Sequence, residues 1–184
     1  MKRFEDLAKK RRTTYEFSTK KVPDNLINRL LECARWAPSA GNSQPWYFIL
    51  VKNRKRIAAL IDSAYYGAFH SDPPCIIAIV LDKDRYVESE FRFVRDSKIG
   101  IVEGLLSAAN PALQIALMAE DLGLSSAILT PEADKVHEIL DTREGDFCPI
   151  MIGIGYQKTG AFQKERTRIP AKKLVFYERH GGTR

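Results

Sequence analysis

The chain has 184 residues, enough for one globular domain with a sizeable core and too few for two domains of ordinary size. Apolar residues make up 45% of the sequence and charged residues 28%, a balance that excludes wholesale disorder. The net charge of +6 suits an anionic partner, such as a phosphate-bearing cofactor, nucleic acid or an acidic surface, but does not choose among them.

The sequence predicts that helices and strands alternate in the first half of the chain. Residues 8–12 end a short opening helix, and the β-branched and aromatic residues 13–17 favour an extended segment. A stripe of apolar residues predicts a second helix that begins at the Val22-Pro23-Asp24 start signal and ends before the next proline. The apolar run 46–51 predicts a strand, and residues 55–63 predict a third helix.

The middle of the chain contains the most apolar strand and the longest helix. Residues 75–81 are continuous and β-branched, which predicts a central strand buried on both faces. The charged and aromatic residues 82–95 predict a surface helix or lid. Residues 98–122 predict a long helical region that is divided or kinked at Pro111.

Small residues recur every four positions in that long helix, at Gly100, Gly104 and Ala108. This spacing places them on one helix face, where another helix can approach closely. Packing within the chain and a seam between two subunits explain the pattern equally well.

The last third of the chain is predicted to hold two strands and one helix. Gly123 ends the long helix, and residues 125–129 form a short strand. Thr130-Pro131-Glu132 has the residues of a helix start, and residues 148–154 form a further strand. The apolar residues 174–177 in the tail need a surface to cover, either on their own core or on a partner's.

The cysteines and histidines of the sequence are not spaced as catalytic or metal-binding groups. Cys33, Cys75 and Cys148 lie far apart among apolar neighbours, which predicts reduced core thiols and neither a disulfide framework nor a metal site. The three histidines show no partnered spacing. No signal peptide or membrane span is recognisable, so the expected location is cytoplasmic.

The ten residues Ala37 to Trp46 are the most informative segment, between a predicted helix and a predicted strand. Their sequence is APSAGNSQPW, in which prolines restrict the path and Gly41 permits a positive φ. Hydroxyl and amide side chains there can hydrogen-bond a polar heterocycle. The residue types alone indicate either a binding loop or an ordinary loop.

This loop, together with Arg11-Arg12-Thr13 some 25 residues earlier and Arg166-x-Arg168 near the end, resembles the nitroreductase-like FMN flavoproteins. The resemblance implies an α+β fold, in which helices flank a central, mostly antiparallel sheet. It also implies an intertwined homodimer whose subunit is a single domain (residues 1–184) with an extended C-terminal arm of about residues 156–184.

The same resemblance implies how FMN is held. The two basic ends would grip its phosphate, the 37–46 loop would reach the flavin of the other subunit, and the strand 125–129 would back the ring. The sequence departs from the family at Tyr15, where Arg or Lys is usual, and at Pro131, which has no N–H to give. The FMN-binding residues so implied are Arg11, Arg12, Thr13, Tyr15, Pro38, Ser39, Ala40, Asn42, Gln44, Ile128, Leu129, Thr130, Arg166 and Arg168.

The implied activity is that of an oxidoreductase in which FMN supplies hydride chemistry at its N5 atom and no side chain acts as a catalyst. NADH or NADPH would reduce a nitroaromatic, a quinone or a similar acceptor in a ping-pong order. Neither a membrane nor nucleic acid is an expected partner. Two alternatives stay open: a flavin-fragmenting or dehalogenating member of the same family, and a basic dimeric regulatory or nucleic-acid-binding module.

Overall fold

The computed structural model describes residues 4–87 and 97–182. The six helices in these ranges are α1 (Phe4–Lys10), α2 (Asp24–Arg35), α3 (Arg54–Asp62), α4 (Lys83–Val87), α5 (Ser97–Asp121) and α6 (Ala133–Leu140). The four strands are β1 (Trp46–Val51), β2 (Cys75–Leu81), β3 (Ser125–Leu129) and β4 (Phe147–Gly155). Of the expected surface helix or lid over 82–95, α4 covers residues 83–87, and residues 88–96 lie outside the described residues.

The four strands form one antiparallel sheet in the order β1-β2-β4-β3. All seven residues of β2 are buried, which confirms the prediction of a central strand covered on both faces. Helices pack on both sides of the sheet, so the expected α+β architecture with an antiparallel sheet is confirmed.

The alternation of side chains along β2 divides the core into two apolar clusters. Ile77 points into the cluster that contains Leu30 of α2 and Ile115 of α5. Ile76 points into the opposite cluster, which contains Leu60 of α3 and other residues of α3 and α6. The sheet is therefore the middle layer of the fold.

Helix α5 runs as one helix through Pro111, so of the two expectations, a division or a kink, the division is wrong. A proline inside a helix removes one hydrogen bond and costs about 3 kcal/mol. The helix nevertheless buries Ala112 and Ile115 beside this proline in the core, and that packing holds it together. Of the small-residue stripe, Gly104 and Ala108 are buried within the chain, as the intrachain alternative requires.

Helix α6 begins at Ala133, and its N-cap is Glu132, two residues after the N-cap expected at Thr130. The reason is tertiary, since the Thr130 carbonyl accepts a hydrogen bond from the Tyr65 amide at 3.1 Å. The Glu132 amide donates to the Ser63 carbonyl at 2.9 Å. These two bonds keep residues 130–132 extended and delay the helix.

The segment after β4 is irregular throughout the described residues 156–182, apart from a 3-10 turn at Ala171–Lys173. Leu174 and Phe176 are 61% and 45% exposed there, so the apolar tail covers no core of its own chain. No helix among residues 4–87 and 97–182 combines the length and hydropathy needed to span a membrane.

The three cysteines carry free thiols, as predicted. Burial raises the pKa of Cys75 to about 11 and the pKa of Cys148 to about 12. Since the thiolate is the reactive form, these two thiols are chemically quiet core residues at neutral pH.

A buried carboxylate joins three elements at one end of the sheet. The side chain of Asp146 is fully buried and accepts hydrogen bonds from the Tyr47 hydroxyl at 2.8 Å and the Lys83 amide at 3.1 Å. Arg143 donates to the same carboxylate at 3.1 Å and forms an ion pair with Asp82 at 2.8 Å. Burial alone would raise the pKa of Asp146, but these hydrogen bonds outweigh it and lower that pKa.

We predict that Asp146→Asn lowers the free energy of unfolding at pH 7 by about 2 kcal/mol, because it removes the charge that these donors stabilise. A depressed carboxyl pKa stabilises the fold above the unfolded-state pKa, and this stability is lost as pH falls through the folded-state pKa. The difference between variant and wild type in urea unfolding should therefore shrink on acidification. Asp141→Asn, at an exposed left-handed cap position, is the matched control, and an equal effect of both substitutions would contradict the prediction.

Candidate functional site

The extended segment 13–17 lies between β3 and the C-terminal segment. The Thr14 amide donates to the Ser126 carbonyl of β3 at 3.0 Å. The Glu16 carbonyl accepts a hydrogen bond from the Lys158 amide, also at 3.0 Å. Backbone pairing on both sides explains why the predicted extended conformation forms, and it brings the two basic ends of the chain together.

The two ends enclose a cavity of about 280 Å³ that is dominated by cations. Partial burial, and then the like charges of Arg168, Arg11 and Arg12, lower the pKa of the Arg166 guanidinium. One carboxylate, that of Glu165, lines the cavity against this excess of positive charge. Such a cavity suits an anion with several acceptor oxygens. Its lining residues are Arg11, Arg12, Thr13, Tyr15, Gln163, Lys164, Glu165, Arg166, Thr167 and Arg168.

Arg166 also ties the C-terminal segment to the end of α1. Its Nη1 lies 2.6 Å from the Lys9 carbonyl oxygen and 2.7 Å from the Arg11 carbonyl oxygen. A cation there satisfies carbonyl groups that a helix C-terminus leaves without intrahelical partners. Arg166 therefore positions the backbone of Arg11 as well as contributing charge to the cavity.

A second cavity, of about 620 Å³, is largely apolar and shares Thr13, Tyr15 and Lys164 with the basic one. Ile128 of β3 is 41% exposed and presents an apolar side chain to it. The shared residues make the two cavities one elongated site, with a cationic end and an apolar, aromatic end. The second cavity is lined by Thr13, Tyr15, Glu16, Tyr66, Phe69, His70, Ile128, Leu129, Thr130, Phe162 and Lys164.

Tyr15 stands where the two cavities meet, between two other rings. Its ring stacks on His70, with the ring centres 5.1 Å apart and the planes 23° apart. Phe162 lies on Tyr15 at a tilt of 46° and a centre distance of 6.4 Å. The side chain that departs from the family pattern is thus part of an aromatic wall.

The loop between α2 and β1 has an unusual backbone. Asn42 and Gln44 both have positive φ, at 53° and 45°, which is uncommon for residues other than glycine. The Gln44 amide donates to Ser39 Oγ at 2.9 Å, and the Gln44 carbonyl accepts from Arg85 Nη1 at 3.2 Å. Helix α5 also holds the loop, since Asn110 Nδ2 donates to the Pro38 carbonyl at 2.8 Å. Backbone strain that several hydrogen bonds maintain in this way is typical of functional loops.

The structure brings nine of the fourteen sequence-predicted residues together, and the other five lie elsewhere. The nine are Arg11, Arg12, Thr13, Tyr15, Ile128, Leu129, Thr130, Arg166 and Arg168, which line one or both cavities. The five are the loop residues Pro38, Ser39, Ala40, Asn42 and Gln44, which the structure describes and which line neither cavity of the same chain.

Sequence reasoning missed several residues of the apolar end. Tyr66 and Phe69, each 69% exposed, follow α3 in a region without helical or strand periodicity. Phe162 and Lys164 belong to the irregular C-terminal segment. The available signal was the density of large aromatic residues in these two irregular stretches, since such residues are rarely left unpacked without a role.

Comparison with known proteins assigns this chain to a family. Residues 8–156 match the model of the Nitroreductase family, so the chain belongs to that family and is an oxidoreductase. A provisionally named NADH dehydrogenase/NAD(P)H nitroreductase of Methanothermobacter thermautotrophicus is 33% identical over 103 residues, which are 56% of this chain and 53% of that protein. The chain thus spans about half the length of this relative.

Solved structures agree with the assignment. A Nitroreductase family protein of Streptococcus pneumoniae is 26% identical, with a TM-score of 0.79 over 94% of this chain and 98% of its own. An FMN-dependent nitroreductase of Clostridium difficile is 21% identical, with a TM-score of 0.74 over 94% of this chain and 98% of its own. At that identity the second likeness shows the fold alone.

Proposed function

We propose that this chain binds FMN and uses NADH or NADPH to reduce small oxidised acceptors such as nitroaromatics and quinones. The observation that carries the proposal is the elongated site, whose cationic end adjoins an apolar end. The names of the relatives supply support, because one structural neighbour is an FMN-dependent nitroreductase and one sequence relative is named for NAD(P)H.

The residues present fit FMN. A dianionic phosphate at one end and a flat, mostly apolar ring at the other match the order of charge along the site. Arg11, Arg12 and Arg168 offer guanidinium groups for phosphate oxygens, and Thr13 offers a hydroxyl for the sugar-alcohol chain. Ile128 and Leu129 would back the ring. The like charges of the neighbouring arginines contribute to the lowered pKa of Arg166, and a bound phosphate would offset that repulsion.

FMN, when bound, supplies the hydride acceptor and donor, so the chain's own tasks are to bind, orient and exclude water. Arg166 fixes the Arg11 backbone, and the arginine cluster anchors one end of the cofactor. Ile128 and the aromatic wall keep water from the other end. One open cavity can serve a nicotinamide and then an acceptor in turn, which is a ping-pong order, and the protons that the reduced acceptor takes up would come from solvent at the open side of the cavity.

The proposal includes a homodimer, in which each subunit is a single domain with a C-terminal arm of about residues 156–184. Leu106 and Leu113 of α5 are 67% and 51% exposed, and the tail is similarly apolar. Contiguous apolar surface of this kind is typical of an interface. The strained loop of residues 37–46 lines neither of the two cavities of the site in its own chain, so we propose that it completes the site of the partner.

We predict that Arg11→Ala weakens FMN binding by about tenfold or more, because a charge-assisted hydrogen bond to phosphate is lost. FMN titration of the apoprotein, followed by quenching of flavin fluorescence, measures the dissociation constant. Arg29→Ala on α2 removes the same charge from an exposed position that lines neither cavity, and should bind FMN as the wild type does. Equal affinity of the Arg11 variant and the wild type would contradict the role of Arg11.

We predict that Leu106→Glu converts the dimer to a monomer, because a buried unpaired charge would oppose the apolar interface. Sedimentation velocity measures the mass, and absorbance at the flavin band measures FMN content, which should fall with it. Leu106→Ala keeps the surface apolar and should stay dimeric at micromolar concentration. A wild-type monomer with full FMN content would contradict the shared site.

We predict that NADH or NADPH bleaches the flavin absorption of the holoprotein under anaerobic conditions, and that a nitroaromatic or quinone then restores it. Stopped-flow absorbance measures both half-reactions. No bleaching by either nicotinamide would contradict the donor assignment. Turnover of a halogenated aromatic with release of halide would instead favour the dehalogenating alternative.

A further inference from the structure

His70 occupies a defined position in the apolar cavity. It follows the 3-10 turn Gly67–Phe69, lines the cavity and is about half buried. Its Nδ1 lies 3.1 Å from the Thr14 carbonyl oxygen. A carbonyl oxygen only accepts hydrogen bonds, so Nδ1 carries the proton in this contact. In the neutral ring Nε2 is then a hydrogen-bond acceptor.

The orientation of this ring is held on several sides. The Ser71 amide donates to the Tyr15 carbonyl at 2.8 Å, and Ser71 Oγ accepts from the Phe17 amide at 2.8 Å. The His70 amide donates to the Gly67 carbonyl at 2.8 Å. Turning the ring over about the Cβ–Cγ bond would keep the stacking on Tyr15 but would break the Thr14 hydrogen bond, because Cδ2 would replace Nδ1 in that contact. The acceptor atom therefore has a fixed place.

The free nitrogen lies in surroundings that keep it neutral and unpaired. Burial lowers the pKa of His70, and the Thr14 hydrogen bond opposes this only in part. The titratable and charged groups that line the same cavity are Tyr15, Tyr66, Glu16 and Lys164. Among the residues that the structure describes, Nε2 has no hydrogen-bond partner, and Glu16 is already bonded to Lys158 and to a backbone amide.

We propose that His70 determines specificity in the apolar cavity, where its Nε2 accepts a hydrogen bond from an aromatic substrate that carries a hydroxyl or amino group. The exposed rings of Tyr66, Phe69 and Phe162 offer flat apolar contact to such a substrate, and Nε2 offers one directed polar contact. Apolar walls with few placed polar groups are the usual design of a selective pocket. The proposal rests on the proposed function, because it assigns to the substrate only the part of this cavity that His70 and the exposed rings line, whereas Ile128 and Leu129 would back the flavin.

Two neutral ligands that differ by one donor test the proposal. 4-Methoxyphenol has a hydroxyl group, and 1,4-dimethoxybenzene has the same ring without a donor. Ligand-observed NMR titration of the FMN-loaded protein near pH 7.5 measures both dissociation constants. We expect the wild type to bind the phenol about five to ten times more tightly, as one hydrogen bond to a half-buried acceptor allows. A ratio near one would overturn the proposal.

Substitutions test whether His70 causes the ratio of the two dissociation constants. His70→Phe keeps a flat ring on Tyr15 and loses both nitrogens, so the ratio should fall to about one. His70→Gln keeps one donor and one acceptor and should retain part of the ratio, which also covers the case in which the Phe variant fails to fold. His137→Phe is the matched control, since His137 also bonds through Nδ1 but lies on α6 outside the cavity.

The outcomes separate this proposal from the proposed function. If His70→Phe keeps the wild-type ratio, the specificity role is wrong while FMN binding stands. If His70→Phe lowers FMN affinity and leaves the ratio unchanged, His70 serves the cofactor and the proposal is overturned. Absence of FMN binding and of nicotinamide oxidation in the wild type would defeat the proposed function. The same NMR titration without FMN would still report the ratio of the two dissociation constants, so the two failures are distinguishable.

Discussion

Backbone pairing of the short extended segment 13–17 is the constraint on which the site depends. This segment bonds to β3 on one side and to the C-terminal segment on the other, and its Tyr15 carbonyl accepts from Ser71. Close packing demands small residues nearby, since a Cβ at Gly155 would lie 2.9 Å from a ring atom of Phe17 and 2.5 Å from Pro74. Residues from three distant parts of the chain meet along this segment, and each part contributes to the cavity walls.

Charge and apolar surface are separated along the site because different elements supply them. The cationic end comes from the two chain ends, where Arg166 holds the carbonyl groups at the end of α1. The apolar end comes mainly from β3, a strand of the sheet, and from the turn after α3. A ligand with a phosphate and a flat ring satisfies both ends together, whereas a small anion or a small aromatic molecule satisfies only one.

Some features of the chain are not explained by contacts within one subunit. The loop after α2 adopts left-handed backbone conformations at two residues other than glycine, yet it lines neither cavity of its own chain. Helix α5 and the tail expose large apolar side chains. In the proposed dimer a second subunit would cover that surface, which burial of apolar area favours, and would bring the loop to a neighbouring site.

Local patterns in the sequence determined the order and type of most elements, because periodicity and end signals act over a few residues. The resemblance to a known family, and not periodicity, singled out the arginine pairs and the 37–46 loop. Only the tertiary structure decided that α5 continues through Pro111, that α6 starts at Ala133, and that His70 joins Tyr15 in an aromatic wall. The reason is physical, since the deciding contacts join residues far apart in sequence. The bond from His70 to Thr14 spans 56 positions, and the bond from Arg166 to the Arg11 carbonyl spans 155.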